Sequence, residues 1–208
     1  MFDINPIHII ASLPAIIIAM VFHEYAHARM ADTLGDKTPY NMGRLTLNPM
    51  AHMDFLGLFM LIIARFGWAK PVPINPMNFK HPRRDDIIVS LAGSLANLLI
   101  AFIFTGLYIL YNHWQPMSYG LQLVVSYIVL YNINFAIFNM IPLPPLDGSH
   151  IVANLLPDTM SSIYQKIAPF SFIILIGLLY TPILAIILIP LQRFFLTIFN
   201  GFFTLFLL

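Results

Sequence analysis

Residues 7–28 read IHIIASLPAIIIAMVFHEYAHA, a 22-residue apolar run that ends in His23-Glu24-Tyr25-Ala26-His27. A helix needs about 20 residues to cross a hydrocarbon core of about 30 Å, so the run is long enough to be a membrane span. One ionised residue at the centre of such a span costs about 2.5–3.5 kcal/mol. Three ionisable side chains within five residues are not expected there by chance, and Glu24 is the sole glutamate in the chain. Residues four apart share a helical face, so His23 and His27 can hold one zinc ion between them. The intervening Glu24 can then reach a water activated by that ion and act as its general base. His23 lies 16 positions after Ile7. At about 1.5 Å per residue that is roughly 24 Å along the helix, which puts the motif in the third of the membrane nearest the helix's C-terminal end.

The remaining residues fit the same solvent. Hydrophobic residues make up 59% of the 208 and charged ones 9%, against about 25% charge in a soluble domain. The expected fold class is an all-α polytopic membrane protein. A net charge of +1 argues against a nucleic-acid partner. The absence of cysteine excludes a thiolate metal site, a disulfide scaffold and a cysteine nucleophile. The N-terminal MFDINPIHII has no basic n-region, so the first apolar run is expected to be retained rather than cleaved. Further full spans are expected at Ile87–Leu110, Leu121–Met140 and Phe170–Ile189, with Phe194–Leu208 either spanning or lying in the interface. Phe55–Ala64 is apolar but too short to cross, and reads as a re-entrant piece. Leu155–Lys166 reads as an amphipathic surface helix.

Charge sets the orientation. Eight of the ten Lys and Arg residues, from Arg29 to Arg84, lie between the first two full spans, which puts that segment in the cytosol. Counting spans, the loop after Leu121–Met140 falls on the same side. It carries Asn139-Met-Ile-Pro-Leu-Pro-Pro-Leu-Asp147-Gly148. Asp147 is therefore the candidate third ligand of a catalytic zinc, which takes three protein ligands and keeps a fourth position open. Pro142, Pro144 and Pro145 bar a regular helix, and irregular backbone at membrane depth is tolerated where it lines a cavity. A solvated aspartate in a plain proline-rich turn accounts for the same spacing. Had Phe55–Ala64 been a full span, Asp147 would face the opposite side.

The pair of motifs, His23-Glu-Tyr-Ala-His27 and Asn139-x-x-Pro-x-Pro-x-x-Asp147-Gly148, resembles the site-2 protease family of intramembrane zinc metalloproteases. Gly43-Arg-Leu-Thr-Leu-Asn48-Pro49, Gly67-Trp-Ala-Lys-Pro71-Val-Pro73-Ile-Asn75-Pro76 and Ala92-Gly93-Ser-Leu-Ala-Asn97 agree, so the resemblance covers most of residues 20–150. It implies a three-helix catalytic core with extra transmembrane helices and a short membrane-embedded re-entrant or hairpin segment at Gly67–Pro76. An extended substrate could add to that segment as a strand. It implies one Zn2+ per chain on His23, His27 and Asp147, with Glu24 as general base. Asn97 and Asn139 are carried as candidate substrate-binding or oxyanion groups, each with a structural hydrogen bond as the alternative. The implied substrates are transmembrane segments of membrane proteins. Ser94 stands where the family often has proline. A single domain over 1–208 is expected, with the core at about 7–150, C-terminal helices at about 151–208, and no PDZ or CBS domain.

Of the other polar residues, Asp54 is expected to cap the helix that follows it, with His52 in the turn before. His150, three residues after Asp147, is a candidate for the metal's surroundings or for the interface. His8, His81 and His113 are expected at the surface, and Trp68 and Trp114 as interfacial anchors. The expected location is a prokaryotic plasma membrane with the site toward the cytosol. The alternative function is a metal-ion transporter using His23, His27 and Asp147 as a transit site, although transport does not require Glu24.

Overall fold

In the computed structural model, residues 6–64, 67–157, 160, 164, 166 and 168–207 are described. The elements run in order α1 (Pro6–Thr33), α2 (Thr38–Asn41), α3 (Pro49–His52), α4 (Phe55–Ala64), α5 (Pro82–Trp114), α6 (Tyr119–Asn139), α7 (Asp147–Leu155), α8 (Ser171–Leu179) and α9 (Ile183–Leu207). Four of them, α1, α5, α6 and α9, are long and apolar enough to cross a membrane. The chain is an integral membrane protein built on an all-helical plan.

The core is the mutual packing of α1, α5 and α6. Helix α1 presents Ala11, Ala15 and Ala19, all buried, at four-residue intervals. Small residues at that spacing let helix backbones approach closely where lipid supplies no hydrophobic drive. Helix α5 runs antiparallel to both partners. Its Asn97 Nδ2 donates to Ala19 O of α1 and to Asn132 Oδ1 of α6, both at 2.9 Å, and Ser94 Oγ donates to Ala136 O at 3.2 Å. Leu95, Leu99, Ile103 and Leu107 of α5 are exposed in a single stripe, as a lipid-facing side must be. Helix α9 lies parallel to α5. Phe199 packs against Ala101, Val129, Ile133 and Ile137. A Cβ on Gly106 would come within 2.5 Å of the Phe203 ring, so a glycine is needed for that approach.

The fourth span differs from the sequence expectation. The apolar run Phe170–Ile189 is not one helix: α8 ends at Leu179, and α9 starts at Ile183 and absorbs the later stretch Phe194–Leu208 as far as Leu207. The cause is Pro182, which lacks an N–H and disfavours helical backbone at Thr181. Pro190, by contrast, lies inside α9, as Pro14 lies inside α1. The surface helix expected at Leu155–Lys166 falls largely outside the described residues, and α7 occupies Asp147–Leu155 instead.

The segment between α1 and α5 folds back over the core. Asp54 caps α4, its Oδ1 accepting from Leu56 N at 2.9 Å and Gly57 N at 3.0 Å. With 10 residues, α4 is about 15 Å long and cannot span. Phe55, Leu56 and Phe59 are exposed on it. Gly57 packs on the returning chain, since a Cβ there would lie 2.1 Å from Trp68 O. The expected hairpin at Gly67–Pro76 is an extended strap. Among the described residues it pairs through one isolated antiparallel bridge, Met53 with Ala69.

Asp36, fully buried, anchors the far end of this strap. Its carboxylate accepts from Thr38 N at 3.0 Å, Asn75 N at 2.8 Å and Asn78 Nδ2 at 2.7 Å. Burial pushes its pKa up, but the hydrogen bonds from Thr38, Asn75 and Asn78 outweigh this and hold it below the ordinary carboxylate value. A depressed native pKa means that the stabilisation is present above the unfolded value of about 3.9 and is lost as pH falls through the native one. Asp36→Ala is expected to lower stability by about 2–3 kcal/mol at pH 7. Denaturation curves of parent and variant should converge below about pH 4. A gap unchanged at pH 3 would show that the ionised carboxylate is not what anchors the strap.

Candidate metal centre and active site

His23 and His27 lie one turn apart on α1, on the face turned toward α5 and α6, and both are buried. His27 Nδ1 donates to Val89 O of α5 at 2.8 Å, because a carbonyl oxygen can only accept. His23 Nδ1 meets Asn97 Oδ1 at 2.7 Å. Asn97 Nδ2 is already committed to Ala19 O and Asn132 Oδ1, so its oxygen faces the ring and His23 Nδ1 is again the donor. Asn132 is held in turn by Ile128 O at 2.8 Å. With each Nδ1 carrying the proton, each neutral ring presents its Nε2 lone pair to the interior.

The two Nε2 atoms converge, 2.9 Å apart, and Asp147 Oδ2 lies 3.1 Å from one and 3.2 Å from the other. Asp147 comes from the start of α7, 120 positions after His27. The Met140–Leu146 turn is tight enough that a Cβ on Gly148 would lie 2.3 Å from Met140 O. Asp147 Oδ2 is buried and receives no hydrogen bond. Two imidazole Nε2 atoms and a carboxylate oxygen facing one another form a donor set that a cation satisfies. Two imidazoles and one carboxylate are ligands zinc accepts, with a fourth position open. Gly93 of α5 backs the pair: a Cβ there would lie 2.5 Å from His27 Nε2 and 2.6 Å from His23 Cε1.

Glu24, 8% exposed, is held from the other side. Val72 N of the strap donates to its Oε2 at 2.9 Å, which leaves Oε1 for another partner. Both histidines, Glu24 and Asp147 line one cavity of about 810 Å³. Trp68, Pro71 and Val72 wall it on the strap side, and Tyr131, Phe135 and Phe172 wall it opposite.

The structure thus brings together His23, Glu24, His27 and Asp147 and separates the two asparagines. Asn97 is fully buried, absent from the cavity wall, and its amide is occupied by His23, Ala19 and Asn132. Both of its amide protons are engaged within the bundle, as the structural alternative for this residue expects. Asn139 does line the cavity; its Nδ2 donates to Phe135 O at 2.9 Å. His150 also lines it, with Nδ1 3.4 Å from Asp86 Oδ2. The sequence reading missed the strap's grip on Glu24, the Val89 carbonyl and Asn132. Only Asn132 carried a signal of its own, as an amide in an apolar span.

Two outcomes follow for metal content, measured on purified protein. Gly93→Ala is expected to weaken metal binding at least tenfold while helicity is retained. Asn97→Ala, which frees the His23 ring, is expected to weaken it by about 10–100-fold. Parent-like metal content in both would show that α5 does not shape the centre.

Comparison with known proteins bears on the same residues. The sequence signature of Peptidase family M50 matches residues 109–181, which include Asp147 and its turn. A Bacillus subtilis protein named "Putative zinc metalloprotease YwhC" is 38% identical over 180 residues, 84% of this chain and 82% of the relative. Proteins named "Putative zinc metalloprotease Rip2" are 32% identical over 176 residues in Mycolicibacterium smegmatis and 30% over 178 in Mycobacterium tuberculosis. Each of these alignments covers 81% of this chain and 66% of the relative. No solved structure matches the chain. Similarity at this level shows that the chain belongs to peptidase family M50, the site-2 protease family.

Proposed function

We propose that the chain is an intramembrane zinc endopeptidase, with one Zn2+ held by His23, His27 and Asp147, that cuts membrane-protein substrates in or beside their transmembrane segments. The observation that carries this reading is the convergence of two imidazole Nε2 atoms and the Asp147 carboxylate, with the sole glutamate beside them on the same cavity. Zinc bound there supplies a Lewis acid that activates water and polarises the scissile carbonyl. Glu24 takes the proton of the attacking water on Oε1 while Val72 N–H fixes its Oε2, and then passes the proton to the leaving amine. Asn97 serves as an orienting group for His23 rather than an oxyanion donor. Asn139 keeps a second N–H and its Oδ1 for a substrate peptide group.

The substrate must be extended at the cut, because a helical backbone shields its own carbonyls. The strap is a partial partner for such a chain. Pro71, Pro73 and Pro76 have no N–H, and those of Lys70, Val72 and Asn75 are bound to His52 O, Glu24 and Asp36. It therefore offers carbonyls more than a full ladder. Residues 1–208 form one domain in this reading. The cavity lies where α1 ends and α5 begins, beside the basic segment 29–84, and so toward the cytosol of a prokaryotic plasma membrane. The transporter alternative finds no second station among the described residues. Among the described residues, His23, His27 and Asp147 are the one group of three such side chains able to share an ion.

The test pairs zinc content with cleavage of a membrane-tethered transmembrane reporter. The parent should carry about one zinc per chain and lose cleavage on chelation. Glu24→Gln should keep the metal and lose cleavage by at least about 10³-fold. Cleavage that survives Glu24→Gln or chelation would refute the mechanism.

A further inference from the structure

The residue that fixes Glu24 lies 48 positions away on the strap, so the orientation of the base depends on what fixes the strap. Two contacts pin the strap just before Val72, both on Lys70. Its N–H donates to His52 O at 2.9 Å, and its carbonyl accepts a short hydrogen bond from Arg44 Nη2. Pro71 and Pro73 flank Val72, and each restricts its own φ and the residue before it. The strap between Lys70 and Asn75 is thereby stiff, and a shift at Lys70 is passed on to the Val72 N–H.

Arg44 is an unusual residue to find as a mere surface tether. It is 6% exposed, its Nε is buried with no hydrogen-bond partner, and its own N–H is tied to Pro39 O at 2.8 Å. The guanidinium is within electrostatic reach of Glu24, whose charge favours it against the burial that lowers its pKa. A buried and incompletely bonded cation is costly to the fold. It does not line the cavity, so whatever it does for the reaction it does through another residue.

We propose that Arg44 is a positioning residue for the base: by gripping the Lys70 carbonyl it holds the strap in the register at which the Val72 N–H meets Glu24. This rests on the reading of Glu24 as general base. Without that grip the strap slides, Glu24 loses its fixed hydrogen bond, and its free oxygen no longer aims at the attacking water. Metal and substrate binding stay, and turnover falls.

The experiment uses the full zinc-loaded chain in detergent with the tethered reporter, comparing Arg44→Met, Arg44→Lys, Val72→Pro, the Arg44→Met/Val72→Pro double variant and Glu24→Gln. Val72→Pro removes the N–H at a position already held extended by Pro73. Arg44→Met should lower kcat by about 10–100-fold, with zinc content kept and KM changed less than about threefold. Arg44→Lys should recover part of the loss, since an ammonium can donate to the same carbonyl. Val72→Pro should show a comparable loss, and the double variant should fall no lower than the worse single one, because both remove one interaction. Parent-like kcat in Arg44→Met, losses that multiply in the double variant, or zinc lost in step with activity would each overturn the proposal. An inactive Glu24→Gln beside a fully active Arg44→Met overturns the role of Arg44 alone. An active Glu24→Gln overturns the base assignment and the role of Arg44 with it.

Discussion

The structure depends on where two imidazole protons go. Val89 O and Asn97 Oδ1 accept hydrogen bonds from the Nδ1–H groups of His27 and His23, and that is what turns the two Nε2 atoms toward Asp147. Both acceptors belong to α5, a helix that contributes no candidate ligand itself. Its antiparallel packing between α1 and α6, the missing side chain at Gly93 and the Asn97–Asn132 hydrogen bond are the means by which it reaches both rings. A ring rotated by a neighbour's shift would turn a lone pair into a donor, and the donor set would cease to fit a cation.

Much of this was legible because membrane solvent makes polarity expensive. His23, Glu24 and His27 stood out within an apolar run, and the parity of spans carried Asp147 to the same side before any contact was known. The ten-residue length of Phe55–Ala64, together with the same parity, marked it as re-entrant. The misses have a different physics. Pro182 lies between two helices and Pro190 inside one, and an apolar run read by hydropathy does not tell the two apart. Asn97 reads as an available amide until its three partners, on two other helices, are known. The strap's hold on Glu24 is a backbone hydrogen bond, and backbone groups carry no residue signature at all.

The strap also shows how one segment serves two demands. It walls the cavity, and it fixes a carboxylate with one of its own N–H groups. Alternating prolines reconcile these. They stiffen the segment without adding donors that a neighbouring chain could capture, so Val72 N–H stays with Glu24. The anchors lie at both ends, Lys70 at one and the Asp36 cluster at the other, and the span between them is short enough to act as one piece.

The long separation of the ligands in sequence has a consequence for how the molecule comes into being. His23 and His27 enter the membrane with the first helix, but Asp147 follows the third, 120 positions after His27. During synthesis the growing chain therefore passes through a long period in which it carries two of the three converging side chains but not the third. The cluster is complete only with the closing of the bundle, as a late step of assembly rather than a property of the first helix that bears the motif.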